Sequence, residues 1–214
     1  MLQIKRFVFN PFEVNTYILY DDTNECLVVD AGCYGQDERK DVVDFISSNR
    51  LTPKLIVNTH GHVDHVLGNG FLKEEYAVDI LGHAADNQLI ENANKHGMIF
   101  GLRVETPPPL NRELVHNDTI RFGRSELSVI HTPGHSPGGI CLHSVDGNFI
   151  ITGDSLFRSS IGRTDLPGGD FDTLMDSITT RLLSLNENLT IYPGHGPAST
   201  IGWERGNNPF LNSM

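Results

Sequence analysis

Short apolar blocks punctuated by turn residues run through most of this chain, and their lengths and spacing predict its elements. Tyr17-Ile18-Leu19-Tyr20 and Cys26-Leu27-Val28-Val29 read as strands joined by the turn Asp21-Asp22-Thr23-Asn24. Val42, Phe45 and Ile46 recur at helical spacing, which predicts a helix closed by Pro53. Leu55-Ile56-Val57 predicts another strand. In the C-terminal half, Ser128-Val129-Ile130, Ile140-Cys141-Leu142, Phe149-Ile150-Ile151 and Thr190-Ile191-Tyr192 predict strands. Phe171, Leu174, Met175, Ile178, Leu182 and Leu185 mark an amphipathic helix begun near Asp170 or Asp172. This order fits an α/β or α+β fold in which sheets are covered by helices. Residues 94–117 read as irregular around Pro107-Pro108-Pro109, either a lid or pocket wall or a plain surface excursion.

A chain of 214 residues supports one substantial core, so residues 1–214 are expected to form a single domain, with 199–214 as a short tail. Hydrophobic residues at 38% and charged residues at 20% are ordinary for a globular protein. No apolar run reaches membrane-spanning length, and Met1-Leu2-Gln3-Ile4-Lys5-Arg6 carries no signal-peptide pattern, so no membrane partner is expected. Cys26, Cys33 and Cys141 form no Cys-x-x-Cys pair; buried free thiols in a reducing, cytoplasmic setting are the expectation. The formal net charge of −11, with no basic cluster, argues against a nucleic-acid partner.

Chemistry concentrates in Thr59-His60-Gly61-His62-Val63-Asp64-His65, directly after a predicted strand. His60, His62 and Asp64 share parity, so an extended segment would project them to one side, while His65 falls where a helix could begin. Three ligands on one face and one diverging suit two adjacent metals better than one. Further candidates follow later strands: His135 in Thr132-Pro133-Gly134-His135, Asp154 in Thr152-Gly153-Asp154, and His195 in Tyr192-Pro193-Gly194-His195. A glycine precedes each of the three, where it would allow backbone conformations that turn the ligand back toward a metal. His83, His96, His116, His131 and His143 read as ordinary polar residues, His131 least safely because it lies close to His135. Asp30, before Ala31-Gly32, is either a carboxylate that orients a metal-bound histidine or a turn-forming residue. Arg163 reads as a substrate contact or as half of a loop ion pair with Asp165.

These motifs resemble the metallo-β-lactamase superfamily, and within it the short, single-domain glyoxalase-II-like (hydroxyacylglutathione hydrolase-like) hydrolases. The resemblance runs from Val28-Val29-Asp30-Ala31-Gly32 to Pro193-Gly194-His195-Gly196 and includes Gly153-Asp154-Ser155-Leu156-Phe157, Ile161-Gly162-Arg163-Thr164-Asp165 and Asn208-Pro209-Phe210-Leu211. It implies an αββα four-layer sandwich of two sheets flanked by helices. It also implies two divalent metal ions, with zinc first and iron or manganese as alternatives. His60, His62 and His135 would bind the first, Asp64, His65 and His195 the second, and Asp154 would bridge them. The implied activity is hydrolysis of a small-molecule thioester, an S-acyl thiol such as S-lactoylglutathione, by a metal-bridging hydroxide, with Asp64 also able to hold a proton. The alternative is a persulfide (sulfur) dioxygenase with one iron on His60, His135 and Asp154. A bridging aspartate disfavours β-lactam hydrolysis, and His62, where flavodiiron proteins carry glutamate, disfavours oxygen reduction of that type. Long glyoxalase II proteins recognise glutathione through a Lys and a Tyr after the bridging aspartate. Arg163-Thr164-Asp165 stands there instead, so the resemblance does not fix the carrier thiol.

Overall fold

The computed structural model describes residues 2–212. Its first sheet runs in chain order: β1 (Gln3–Phe9), β2 (Val14–Tyr20), β3 (Glu25–Val29), β4 (Thr52–Val57), β5 (Asp79–Gly82) and β6 (Arg112–Glu113). The first three strands are antiparallel, and β3 through β6 are parallel. The second sheet contains β7 (Thr119–Phe122), β8 (Ser125–His131), β9 (Ile140–Ser144) and β10 (Phe149–Gly153). After a separate hairpin of β11 (Leu156–Phe157) and β12 (Ser160–Ile161), β13 (Thr190–Pro193) pairs parallel to β10 and β14 (Ser199–Thr200) closes the edge.

Period-two alternation sorts the strand residues into layers. Tyr17, Leu19, Leu27 and Val29 point inward and meet Leu127, Val129, Leu142 and Ile151 of the second sheet. Their neighbours Ile18, Val28, Ile56 and Ile80 point outward, under Val42 and Ile46 of α1 (Gln36–Ser48). On the far side, Cys141, Ile150 and Ile191 lie beneath Leu174, Ile178 and Leu182. The result is the four-layer αββα sandwich, in which the central strands β2, β3, β9 and β10 are buried on both faces. All three cysteines are buried and free. No helix among the described residues is long and apolar enough to cross a membrane.

Several elements depart from the pattern reading. Helix α1 stops at Ser48 because Asn49 caps it, its amide bonding back to Phe45 O; Pro53 lies inside β4 instead. Between β4 and β5 lie α2 (Val63–Val66) and α3 (Asn69–Tyr76). The segment read as irregular from residue 94 opens in a helix: α4 (Asn87–Glu91) is followed by α5 (Ala93–Ile99), whose Ala93 packs on Val63 and Val66. That helix escaped notice because Gly97 and three exposed apolar residues, Met98, Ile99 and Phe100, break its amphipathic pattern. The predicted helix after Asp170 begins as α6 (Phe171–Asp176), with Asp170 Oδ1 accepting the Thr173 amide, and continues as a π-helical turn over Ser177–Leu182. The expected tail at 199–214 holds β14 and α7 (Ile201–Asn207), whose buried Ile201 and Glu204 anchor it; its last two residues lie outside the described ones.

Candidate metal centre

Strand ends from both sheets meet at one edge of the sandwich, and every proposed ligand sits just past one of them. His60 lies in a bend three residues past the end of β4, and His62, with extended backbone, immediately precedes α2. Asp64 and His65 then lie in the first turn of α2. The shared parity of His60, His62 and Asp64 therefore breaks down at Asp64: helical residues rotate about 100° each rather than 180°, so Asp64 travels with His65. Nitrogens of His60, His62 and His135 lie within 4.8 Å of one another, and so do the donor atoms of Asp64, His65 and His195. Asp154 stands between the groups, its Oδ1 3.4 Å from His65 Nε2 and its Oδ2 3.5 Å from His135 Nε2 and 3.6 Å from His195 Nε2. Parallel pairing of β10 with β13 sets Gly153 beside Pro193, which brings Asp154 and His195 to the same place.

Four of the five imidazoles have the nitrogen remote from the centre engaged. His65 Nδ1 lies 2.9 Å from Asp30 Oδ2, His135 Nδ1 2.7 Å from the Arg163 carbonyl, His195 Nδ1 3.0 Å from the Phe12 carbonyl, and His60 Nδ1 3.1 Å from Thr59 Oγ1. Such partners fix ring orientation and leave the other nitrogen free as a donor. Asp30 combines its two readings: its backbone is left-handed, with φ 52°, and its carboxylate accepts from the Thr59 amide and hydroxyl while facing His65. A third close group, Asp30 with His60 and His65, is thus already committed through the Asp30 oxygens.

Asp86 was not singled out in the sequence. Buried at the end of a 3₁₀ turn, it accepts from the Gly61 amide at 2.8 Å, the Ser136 hydroxyl at 2.8 Å and the Gly138 amide at 2.6 Å. One carboxylate thereby ties the His60–His62 loop to the His135 loop. Its only sequence signal is an aspartate shortly after a short apolar run, and surface turns share that signal. The carbonyls of Phe12 and Arg163 have no signal at all, since any residue carries one.

The glycines before the ligands act for different reasons. Gly134 and Gly153 hold φ of 128° and 49°, as expected of conformational need. Gly194 holds no such angle. A Cβ there would lie 2.1 Å from Asp154 Oδ1, so the requirement is space.

Electrostatics divides the site in two. Burial and the neighbouring imidazoles push His60 well below the ordinary histidine range, and burial with His135 beside it brings His62 down to about 3. Both are neutral, the state in which imidazole binds a metal. In the second group burial works against His65's charge, but Asp64, Asp154 and Asp30 overcome it and push His65 up to about 10. Burial also opposes the charge of Asp64, which His65 and His195 nonetheless hold below the usual carboxylate range. His60 Nε2 and Asp154 Oδ1 are buried with no hydrogen-bond partner. Orphaned buried polar atoms carry a desolvation cost unless something binds them. A neutral nitrogen set beside a carboxylate-rich set, with orphaned donor atoms aimed between them, fits divalent ions.

The Arg163 guanidinium is paired at 2.7 Å with Asp165; both are exposed, and it is the Arg163 carbonyl that meets His135. His131 does not join the centre. Its ring stacks on His83 at 4.1 Å, and its Nε2 lies 3.0 Å from the Pro137 carbonyl. His83, His96, His116 and His143 also lie outside the ligand groups.

A family model described as the metallo-beta-lactamase superfamily matches residues 9–195. The chain is 36% identical to the hydroxyacylglutathione hydrolase GloC of Haemophilus influenzae, over 99% of both chains. It is 34% identical to the probable metallo-hydrolase YqgX of Bacillus subtilis, over 98% of both. Among solved structures, the BLEG-1 B3 metallo-beta-lactamase superposes with a TM-score of 0.90 at 33% identity, covering 98% of this chain and 99% of that one. TTHA1623, in a di-iron-bound form, gives 0.87 at 34% identity, covering 97% and 100%. ETHE1 from Myxococcus xanthus gives 0.82 at 24% identity, covering 99% and 85%, a likeness of fold.

Proposed function

The chain belongs to the metallo-β-lactamase superfamily, and from that membership we propose that it is a metal-dependent hydrolase of thioesters of the hydroxyacylglutathione kind. The observation that carries this reading is Asp154: a single carboxylate within 3.6 Å of histidines from both ligand groups suits two ions held side by side. The similarity to GloC along both full lengths supports the thioester as substrate class.

We assign His60, His62 and His135 to one ion, Asp64, His65 and His195 to the other, and Asp154 to both. Nitrogen and carboxylate donors suit zinc and equally accept iron or manganese, and the di-iron form of TTHA1623 makes iron a serious candidate. Divalent ions held there would supply Lewis acidity toward a carbonyl and would acidify water, which opens a thioester without a side-chain nucleophile.

The chain's own residues do the rest. Asp30, Thr59 and the Phe12 and Arg163 carbonyls hold the imidazoles in place, so little reorganisation accompanies reaction. Asp64 serves chiefly as a ligand. Burial opposes its charge, but His65 and His195 hold its carboxyl low, which keeps it in the ionised form that a metal requires. The exposed Arg163 is proposed to contact an acidic part of the substrate.

The test is an assay of purified protein with S-lactoylglutathione under strict anaerobiosis, alongside elemental analysis. Thiol released in step with acid, with zinc, iron or manganese near two per chain, is the expected result. Absent thiol release together with oxygen uptake on glutathione persulfide, and iron near one per chain, replaces this reading with the dioxygenase. A penicillin belongs in the same assay because BLEG-1, similar at 33% identity, is called a B3 metallo-beta-lactamase. Its turnover in place of the thioester would also overturn the proposal.

A further inference from the structure

A cavity of about 400 Å³, whose lining includes none of the proposed metal ligands, lies against the end of α2. Val66 and Leu67, which directly follow His65, form its floor, and the Pro107-Pro108 stretch forms one wall. Tyr34 and Arg39 enter from the start of α1, Phe71 and Glu74 from α3, and Arg103 and Glu105 from the loop after α5.

Of the charged side chains around this cavity, Glu74, Arg103 and Glu105 are exposed and Arg39 is half-buried. Arg39 lies over the Phe71 ring, 5.1 Å from its centroid, and its Nε is buried with no hydrogen-bond partner. Its sequence neighbour Glu38 accepts instead from the Asn10 and Tyr34 amides at 2.8 and 2.6 Å. Arg103 is placed by Tyr34, whose hydroxyl accepts the Arg103 amide at 3.3 Å. Among the described residues neither arginine has a carboxylate within ion-pair distance, and the Glu74 and Glu105 side chains are equally unpaired. Two cations and two anions thus line one cavity without neutralising one another.

We infer that this cavity binds a small zwitterionic ligand with an α-amino acid end. Its carboxylate meets Arg39 and Arg103, its ammonium meets Glu74 or Glu105, and its stem lies on Phe71, Val66 and Leu67. A purely anionic ligand is the weaker fit, because Glu74 and Glu105 line the cavity beside the two arginines and the chain as a whole carries −11. Guanidinium groups recognise carboxylates through paired donors, and the Arg39 guanidinium already lies over Phe71, 5.1 Å from its ring centroid. The volume falls within the range of small-molecule sites and accommodates a free amino acid or the aminoacyl end of a short peptide. This inference does not depend on which thioester the metal centre cleaves.

Calorimetric titration of the metal-loaded protein tests it, with L-glutamate, glutathione, glutarate and inorganic sulfate as probes. L-glutamate or glutathione should bind saturably and at least about tenfold more tightly than glutarate or sulfate. The tighter of the two distinguishes a free amino acid from a peptide. Arg103→Ala, at an exposed position, should weaken that binding about tenfold, and Glu74→Gln should bring glutamate down to the level of glutarate. Arg39→Lys, which keeps charge and stem, should also weaken it, and guards against misfolding in Arg39→Ala. His62→Ala should bind L-glutamate as the parent does, which separates this cavity from the metal centre. Glutarate or sulfate binding as tightly as glutamate overturns the inference. So does indifference to Arg103→Ala, or no saturation by any probe below about 50 mM.

Discussion

Asp86 Oδ2 accepts the Gly61 amide at 2.8 Å, placing a buried carboxylate directly behind the two leading histidines of the metal centre. The same group holds Ser136 and Gly138, so the loops carrying His62 and His135 share one anchor. Asp86→Ala would orphan three buried donors at once, each costing about 1–3 kcal/mol. We expect a loss of roughly 3–5 kcal/mol after partial rescue by water, read by chemical denaturation, together with fewer metal ions per chain. Asp86→Asn, which keeps an acceptor, should fall between. Parental stability and metal content in Asp86→Ala would show that the loops hold themselves.

The strands were legible as short apolar runs bounded by turn residues, but their layering was not. Tyr17 and Leu19 face one core and Ile18 the other, and all three are buried, so the run carries no alternation to read; the four-layer order was implied only by the family resemblance. The ligands were legible because chemistry restricts the residue types that can bind metals. Asp86, Phe12 and Arg163 were not legible as supports. A carboxylate that accepts from backbone amides, or a backbone carbonyl that accepts from an imidazole, depends on loop paths that no local pattern encodes. Helix α5 was hidden by its exposed Met98, Ile99 and Phe100, and Gly194 was read as a hinge when its role is to leave room.

Asp154→Ala should lose more metal than His65→Ala. The carboxylate lies near both ligand groups and offsets repulsion between two ions, whereas His65 belongs to one group. Elemental analysis after identical purification decides it: near-complete loss in Asp154→Ala with about half retained in His65→Ala is expected. Equal losses in the two variants count against a shared ligand.

Metal uptake should release a proton from His65. Without metal its acidic neighbours hold it charged up to about pH 10, yet only the neutral imidazole donates to an ion. The sign follows from the raised pKa. His65 stabilises the metal-free fold fully below its ordinary value near 6.5, and that contribution is lost as pH rises through about 10. Affinity for the second ion should therefore strengthen with pH across the neutral range. Titrating metal-free protein in two buffers of different ionisation heat counts the protons. A pH-independent affinity with none released would mean that His65 is not a ligand.

Arg163→Ala should leave stability within about 0.5 kcal/mol, since an exposed ion pair of this kind contributes little. The carbonyl that accepts from His135 survives the substitution. If the guanidinium holds an acidic part of the substrate, KM rises several-fold while kcat stays near parental, the mark of lost uniform binding. An unchanged KM would return Arg163 to a surface role.

Gly194→Ala should disable the centre without unfolding the protein. The new methyl would lie 2.1 Å from Asp154 Oδ1 and 2.8 Å from His65 Cε1, well inside contact distance of both. The backbone cannot easily step aside. Gly194 N donates to Gly153 O at 2.8 Å, and Gly194 O accepts the Asn15 amide at 2.7 Å, so both sheets grip it. Asp154 and His65 must give way instead, and both are proposed metal ligands. Circular dichroism should stay near parental while metal content and thioester cleavage fall together. Gly196→Ala is the control: its φ is 74° with nothing within 4 Å of a built Cβ, so strain of about 1 kcal/mol is expected there and metal is retained. Full metal loading in Gly194→Ala would mean that Asp154 does not reach the ions from where it stands.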